Sequence, residues 1–451
     1  MPKRVLCLIF SFVFSFIFFF STEEIFAEVY RGAECRKLSD DISVIFLETN
    51  KSDNIFVTLC LSAGHSDDVE KSGKAELFGN IFKNKLEKEM NRNSQGYNVE
   101  MTSFIGQEQS LFSFYGKRID LPFHIKCISR NFYGLEISDE ELTKEKEKIA
   151  TKFNSWIALD KNKLRREALR SLYWHDGFGK PFSVEELNSI TVDDLKQFRE
   201  KNYTNNRVTL IISGYIKNKN EITKIIEENF SNNKKSEIKR LREPAHHDAT
   251  VNFEMTGSQV KFPYVEIYWR LPNYRGEKSV YDDAESFRTI SPIALEIFLI
   301  YLKPELEKSL VKELGIASSV TFDYSFWNYS EGNLRISIAL NERKYSKEIE
   351  FAILNEIKRL AYEVDEWKLA VARKRLYKSA DVFNYRADVI DTMNWLSEKL
   401  GVGYDYKFLK EYGDSIKNFK LETARKDIVK FFKNEPEVIS VLNPEEKNNV
   451  I

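Results

Sequence analysis

Gly73-Lys-Ala-Glu-Leu-Phe-Gly-Asn-Ile-Phe82 is the stretch on which the reading of this chain turns. It opens a segment, roughly 72–90, whose apolar residues recur at helical spacing. Positions 76 and 80 lie four apart and share one helix face, with position 79 beside them. Those slots hold Glu76, Gly79 and Asn80. Glu76 carries a carboxylate, Gly79 no side chain and Asn80 a neutral amide.

Working outward, strand-like runs at 42–47 and 55–62 lead into this helix, and two more follow at 97–104 and 110–115. Helical patterns occupy 120–132, 138–159 and 161–173, with Ser138-x-x-Glu141 reading as a capping box. Thr191-x-x-Asp194 starts another helix, and 208–213 reads as a buried strand. One α+β unit, 28–230, is thereby closed. Residues 231–248 are polar and charged, from Asn232, Asn233, Lys234 and Lys235 to Pro244, and read as a linker. The order then restarts within 249–451. Strands are expected at 251–255 and 265–271, a long helix at 290–314, and strands at 319–326 and 334–340. Helices between 344 and 432 and a last strand at 438–441 complete a pattern that implies tandem duplication.

The 73–82 segment resembles the opening helix of the M16 zinc peptidases (insulinase, processing-peptidase and pitrilysin type), where the sequence is His-x-x-Glu-His. Ala63-Gly-His-Ser-Asp-Asp68 is similar to the turn before that helix. Leu172-Tyr-Trp-His-Asp-Gly-Phe-Gly-Lys-Pro181, Ile190-Thr-Val-Asp-Asp-Leu195 and the run 208–214 follow in the family's order. The resemblance implies two tandem α+β halves of the LuxS/metallopeptidase-like type, enclosing a substrate chamber. Each half would be a mostly antiparallel sheet with helices packed on one face.

By the same resemblance, Glu76 and Asn80 stand in the two histidine slots and Gly79 in that of the general base. The third zinc ligand of the family falls on Lys152, aligned through Glu145-Lys-Glu-Lys-Ile149, with Glu147 or Glu145 as alternatives under a gap. A protonated lysine has no lone pair for a metal. The family's Arg-Gly-x-x-Tyr clamp on the substrate backbone maps to Leu314-Gly-Ile-Ala-Ser318, so Leu314 replaces the Arg and Ser318 the Tyr. Tyr324 and Tyr329 lie nearby but out of register.

Composition bounds the rest. A chain of 451 residues with 42% hydrophobic and 14% aromatic content can fill sizeable cores. Lys and Arg total 68 against 69 acidic residues, which argues against a broadly basic nucleic-acid binder. Lys3 and Arg4 precede an apolar run at 5–20, and 21–27 suits signal cleavage after Ala27. The expectation is export, to the periplasm if the source is a bacterium, with an uncleaved membrane anchor as the alternative. Cys60 and Cys127 read as buried small hydrophobes.

Bland readings outweigh sharp ones elsewhere. Adjacent His246 and His247 would point to opposite sides of a linker. His175-Asp176 falls in a structural turn of the family. His65 with Asp67, Asp68 and Glu76 suits a surface metal site less than acids placed at the positive end of the helix. The basic run at 234–242 reads as charged linker, and Phe322, Tyr324, Phe326, Trp327 and Tyr329 as a strand face. No Walker loop, dinucleotide fingerprint or nucleophile elbow is present.

The functional expectation is a catalytically inactive M16-type protein that itself holds neither zinc nor other cofactor. It would pair with a zinc-bearing subunit carrying His-x-x-Glu-His and receive peptide or unfolded polypeptide. The alternatives are a stand-alone peptide-binding or envelope scaffold module, and a divergent zinc endopeptidase built on Glu76, Glu147 and one histidine.

Overall fold

The computed structural model describes residues 32–39, 41–48, 53–68, 70–93, 97–173, 182–231, 235–236, 249–272, 290–325, 332–380, 399 and 406–445. The expected leader, most of the expected linker, His175-Asp176, His246-His247 and residues 326–329 lie outside these.

Two sheets organise the chain. The first contains β1 (Gly32–Lys37), β2 (Ser43–Glu48), β3 (Asn54–Leu61), β4 (Glu100–Ile105), β5 (Ser110–Lys117) and β6 (Val208–Gly214), in the order β1-β2-β6-β3-β5-β4. The second contains β7 (Val251–Gly257), β8 (Tyr264–Leu271), β9 (Ala317–Ser325), β10 (Gly332–Leu340) and β11 (Val438–Pro444), in the order β7-β11-β8-β10-β9. With β1 set aside, β2, β6, β3, β5 and β4 match β7, β11, β8, β10 and β9 one for one. Directions match as well: β2–β6 and β7–β11 are parallel, and the other matched pairs are antiparallel. Both sheets are mostly antiparallel, and the repeated order gives physical form to the duplication read from the sequence.

Twelve α-helices pack on these sheets among the described residues. In the first half they are α1 (Lys74–Asn93), α2 (Leu121–Gly134), α3 (Asp139–Ile157), α4 (Asp160–Leu172), α5 (Val184–Ser189), α6 (Val192–Asn202) and α7 (Lys219–Asn229). The second half has α8 (Pro292–Glu307), α9 (Lys347–Tyr362), α10 (Glu366–Ala380), α11 (Tyr406–Asn418) and α12 (Leu421–Phe432). The expected helix at 290–314 ends in a π turn, Lys308–Glu313.

Each half has its own core. In the first, α1 buries Ala75, Leu77, Phe78, Ile81, Phe82, Leu86 and Met90 at helical spacing against Val57, Leu59 and Phe112 of the sheet. Phe78 meets Tyr203 edge to face with centroids 4.5 Å apart, and Phe82 meets Phe112 at 4.9 Å. Burying each such side chain contributes roughly 1.5–3 kcal/mol, so α1 is held by packing rather than propensity. In the second, α8 is buried along most of its length among Ile267, Trp269, Ile336 and Phe432.

The second sheet also has a helix on its other face, and that helix belongs to the first half. α4 lies against β11, β7 and β8, where Ala168, Leu172 and Tyr173 cluster with Tyr268 and Val438. Helices on one face therefore describe each half taken alone, and α4 adds a layer that joins the two halves.

Candidate functional site

The start of α1 is fixed by the turn before it. Asp68 accepts hydrogen bonds from the Gly73 N–H at 2.8 Å and the Ala75 N–H at 2.7 Å, placing a carboxylate at the positive end of the helix. Of the acids of this turn, Asp68 thus serves the helix end. Asp67 faces the other way, accepting from the Gly64 N–H at 3.0 Å and pairing at 3.0 Å with Arg207 in a nearly buried ion pair. Gly64 is sterically required, since a Cβ there would stand 2.7 Å from both Gln107 O and Gln109 N. Gly73 sits at φ +102°, in the region that favours glycine.

Glu76 and Asn80 are half-buried on one side of α1, while Leu77, Phe78 and Gly79 are buried. Asn80 Nδ2 donates to Glu76 Oε1 at 3.5 Å. α3 packs across α1 and brings Lys152 Nζ to 3.9 Å from the same oxygen. His65 completes the group: its Nε2 lies 3.7 Å from Glu76 Oε2 and its Nδ1 3.7 Å from Asp68 Oδ2. The structure therefore brings Glu76, Asn80 and Lys152 together, three positions that are 76 residues apart at most in the sequence. The side chain of Lys152 is 82% exposed, so its ion pair with Glu76 is solvent-screened and adds little stability. Desolvation opposes charge on His65, yet the Asp68 and Glu76 carboxylates outweigh it and hold the imidazole above its ordinary pKa.

Position 79, where the sequence comparison expects a general base, is filled from below. A Cβ built on Gly79 would overlap Ile105 Cδ1 and lie 3.0 Å from its Cγ1, so β4 occupies the volume a side chain would need. Of the alternative ligands on α3, Glu145 is buried and paired with Lys148 at 3.1 Å. Glu147 is exposed, and five residues of helix turn it about 140° away from Lys152.

The expected clamp positions, Leu314 and Ser318, lie in the second half. Leu314 follows the π turn and is 53% exposed, and Gly315 takes φ +68°. Ser318 is exposed at the start of β9, and its Oγ donates to Ala339 O at 3.2 Å within its own sheet. Neither side chain supplies a charged or phenolic group. Phe322 packs into the core and Tyr324 is exposed on the same strand. Cys60 and Cys127 are buried free thiols, and burial raises the Cys127 pKa.

The donor set at α1 does not fit zinc. It consists of one carboxylate, one amide and one imidazole that bridges two carboxylates, and a lysine ammonium at the same carboxylate repels a dication. Among the described residues, no group of three or more His, Cys, Asp or Glu side chains is placed to hold a metal ion.

The doubled α+β scaffold places a polar cluster where α1 meets α3. Comparison with known proteins shows what this scaffold resembles. The family profile described as Peptidase M16 inactive domain matches residues 189–376. This span starts before α6 in the first half and ends within α10 in the second. Among solved structures, a protease from Helicobacter pylori superposes with a TM-score of 0.74 at 14% identity, covering 92% of this chain and 100% of that one. A peptidase M16 inactive domain from Pseudomonas fluorescens gives 0.71 at 13% identity, covering 92% and 98%. The first half of the periplasmic protease PqqL from Escherichia coli gives 0.71 at 12% identity, covering 93% of each chain. A search of curated proteins returned no match. The chain has an M16-like fold. Among its described residues no helix is long and apolar enough to cross a membrane.

Proposed function

We propose that this chain is an exported, non-catalytic M16-like protein that supplies half of a substrate-chamber wall to a zinc-bearing M16 subunit. One observation carries the reading: the positions aligned with the three zinc ligands converge in space but hold Glu76, Asn80 and Lys152. The general-base position is a glycine packed against Ile105. The exposed ammonium of Lys152 stands 3.9 Å from the Glu76 carboxylate and disfavours a dication there.

Export rests on the residues of the 1–27 leader. Pairing draws support from the neighbour described as one half of a protease. Two measurements test the reading. Purified protein is expected to contain far less than stoichiometric zinc and to show no chelator-sensitive peptide hydrolysis. Co-purification at native expression is expected to bring down a homologue that carries His-x-x-Glu-His. Stoichiometric zinc with chelator-sensitive cleavage overturns the inactive assignment, and recovery of the chain alone overturns the pairing.

A second reading is a stand-alone peptide-binding or envelope scaffold module. Leu314 and Ser318 favour it, because a subunit that helps hold substrate at a partner's metal has use for the Arg and Tyr they replace. Hydrolysis through Glu76, Glu147 and a histidine stands last. His65 adjoins Glu76, but Glu147 faces elsewhere on α3. Any hydrolysis that persists unchanged in Glu76→Gln removes that reading.

A further inference from the structure

The face of the second sheet opposite its core is polar. Across it, Glu266 of β8 is flanked by Ser440 and Ser337, and the next row runs Val438, Tyr268, Arg335, Asp323. α4 crosses the β7–β11–β8 side of this face and carries Lys161 and Arg165 four apart, on one side of the helix. The β9 side is open among the described residues: Ser319 and Thr321 are exposed and Asp323 is 27% exposed.

Glu266 is completely buried. It accepts from the Tyr268 hydroxyl at 2.6 Å, with Ser337 and Tyr264 hydroxyls at 3.4 Å. Arg335 Nη1 and Arg165 Nη2 stand 3.6 and 3.8 Å from its Oε1. Arg335 Nη2 also donates to Asp323 at 2.7 Å, and Lys161 Nζ lies 4.0 Å from the Tyr264 ring centroid. Three cations thus share two carboxylates, and burial raises the pKa of both acids. Arg335 is 6% exposed, and its Nε has no hydrogen-bond partner, nor do Nε and Nη1 of Arg165. Unmet buried guanidinium donors are costly, and a carboxylate is the acceptor that fits their planar fork.

We propose that the junction of α4 with the β8–β10–β9 face binds a carboxylate of an acidic polypeptide segment, through Arg165 and Arg335 with exposed Lys161 beside them. The inference rests on the reading that the chain receives polypeptide, and it adds a preference for acidic sequence. An extended segment lies along the open β9 side, with one carboxylate reaching in beside α4.

The test uses the full chain and fluorescence anisotropy with three labelled probes. They are a short poly-glutamate peptide with an amidated C-terminus, its glutamine counterpart with the same amide, and the glutamine peptide with a free C-terminal carboxylate. Poly-glutamate is expected to bind, to weaken with salt, and to lose about tenfold in affinity in Arg165→Gln. Lys161→Gln, at an exposed position that leaves folding intact, is expected to lose several-fold. Binding of the third probe but not the second assigns the site to chain termini; binding of the first alone assigns it to side chains. Equal binding of both amidated peptides, no binding of any probe, or unchanged affinity in folded Arg165→Gln and Lys161→Gln overturns the proposal. Recovery of the zinc-bearing subunit in the pull-down is read separately, so failure here leaves the pairing intact.

Discussion

His124 lies against the Phe114 ring, centroids 5.1 Å apart, and a Cβ on Gly116 would stand 2.8 Å from its Cε1. Burial in this apolar corner pushes its pKa down to about 4, only weakly opposed by Asp120. The unfolded chain therefore takes up a proton that the folded one refuses, and stability is lost as pH falls from the ordinary histidine value toward 4. The loss amounts to roughly 3 kcal/mol by pH 4. His124→Phe is expected to flatten the acid limb of a urea-unfolding pH series, and an unchanged limb counts against burial as the cause. His65 runs the other way. Its contribution is complete below the ordinary histidine value and fades as pH rises through its raised folded pKa. In an NMR titration, Glu76→Gln is expected to lower the His65 midpoint while His124 stays put. At Gly79, Gly79→Glu adds a side chain that meets Ile105, so it is expected to destabilise by about 1–3 kcal/mol. Ile105→Ala in the same chain should recover part of that, and additivity of the two costs would show that they do not share the volume.

At the scale of elements, α1 is held by the packing of its apolar face, and the turn before it fixes where the helix starts. Asp68→Ala removes the acceptor for two N–H groups at the helix start and is expected to cost about 1 kcal/mol. Asp67→Ala strips a buried arginine of its partner and is expected to cost about 3–5 kcal/mol, partly offset because Arg207 also donates to Ser62 O. If urea midpoints shift more for Asp68→Ala than for Asp67→Ala, the ranking of these contacts is wrong. Elements with strong periodicity or caps were legible: Ser138 and Glu141 form the capping box, as do Thr191 and Asp194. β1, Gly-Ala-Glu-Cys-Arg-Lys, escaped because its residues carry charge on an edge strand; Arg36 bonds to α7 at Asn220 and Thr223, and Lys219 reaches Glu34. α7 escaped with it, being short and polar, with only Ile226 fully buried. The π turn after α8 left no sequence signal, and Pro304 inside α8 was passed over within an apolar run.

For the whole molecule, the convergence of positions 76, 80 and 152 was legible because a motif fixes spacing on a helix and order fixes the second helix. The Glu266 network was missed although Tyr264–Leu271 shows a period-two signal, with Glu266 and Arg270 on one side and Val265, Ile267 and Trp269 on the other. That alternation is masked when both faces are buried, and the second face is buried by a helix from the other half, which no local pattern announces. The consequence concerns how the halves hold together. Arg270 donates to Leu172 O, Gln259 Nε2 to Ala158 O at 3.0 Å and Asn333 Nδ2 to the Tyr173 hydroxyl at 3.2 Å, around the cluster of Ala168, Leu172, Tyr268 and Val438. Contacts of this kind do not require a covalent link between 230 and 249. With a specific protease site placed in the 231–248 segment, cleavage is expected to leave the fragments co-eluting in gel filtration, held by α4. Leu172→Asp puts a charge against Tyr268 and Val438 and is expected to separate the cut fragments, while each keeps the circular dichroism of a folded half because the two main cores share no residues. Separation of the cut wild-type chain would mean that the linker, rather than α4, holds the halves together.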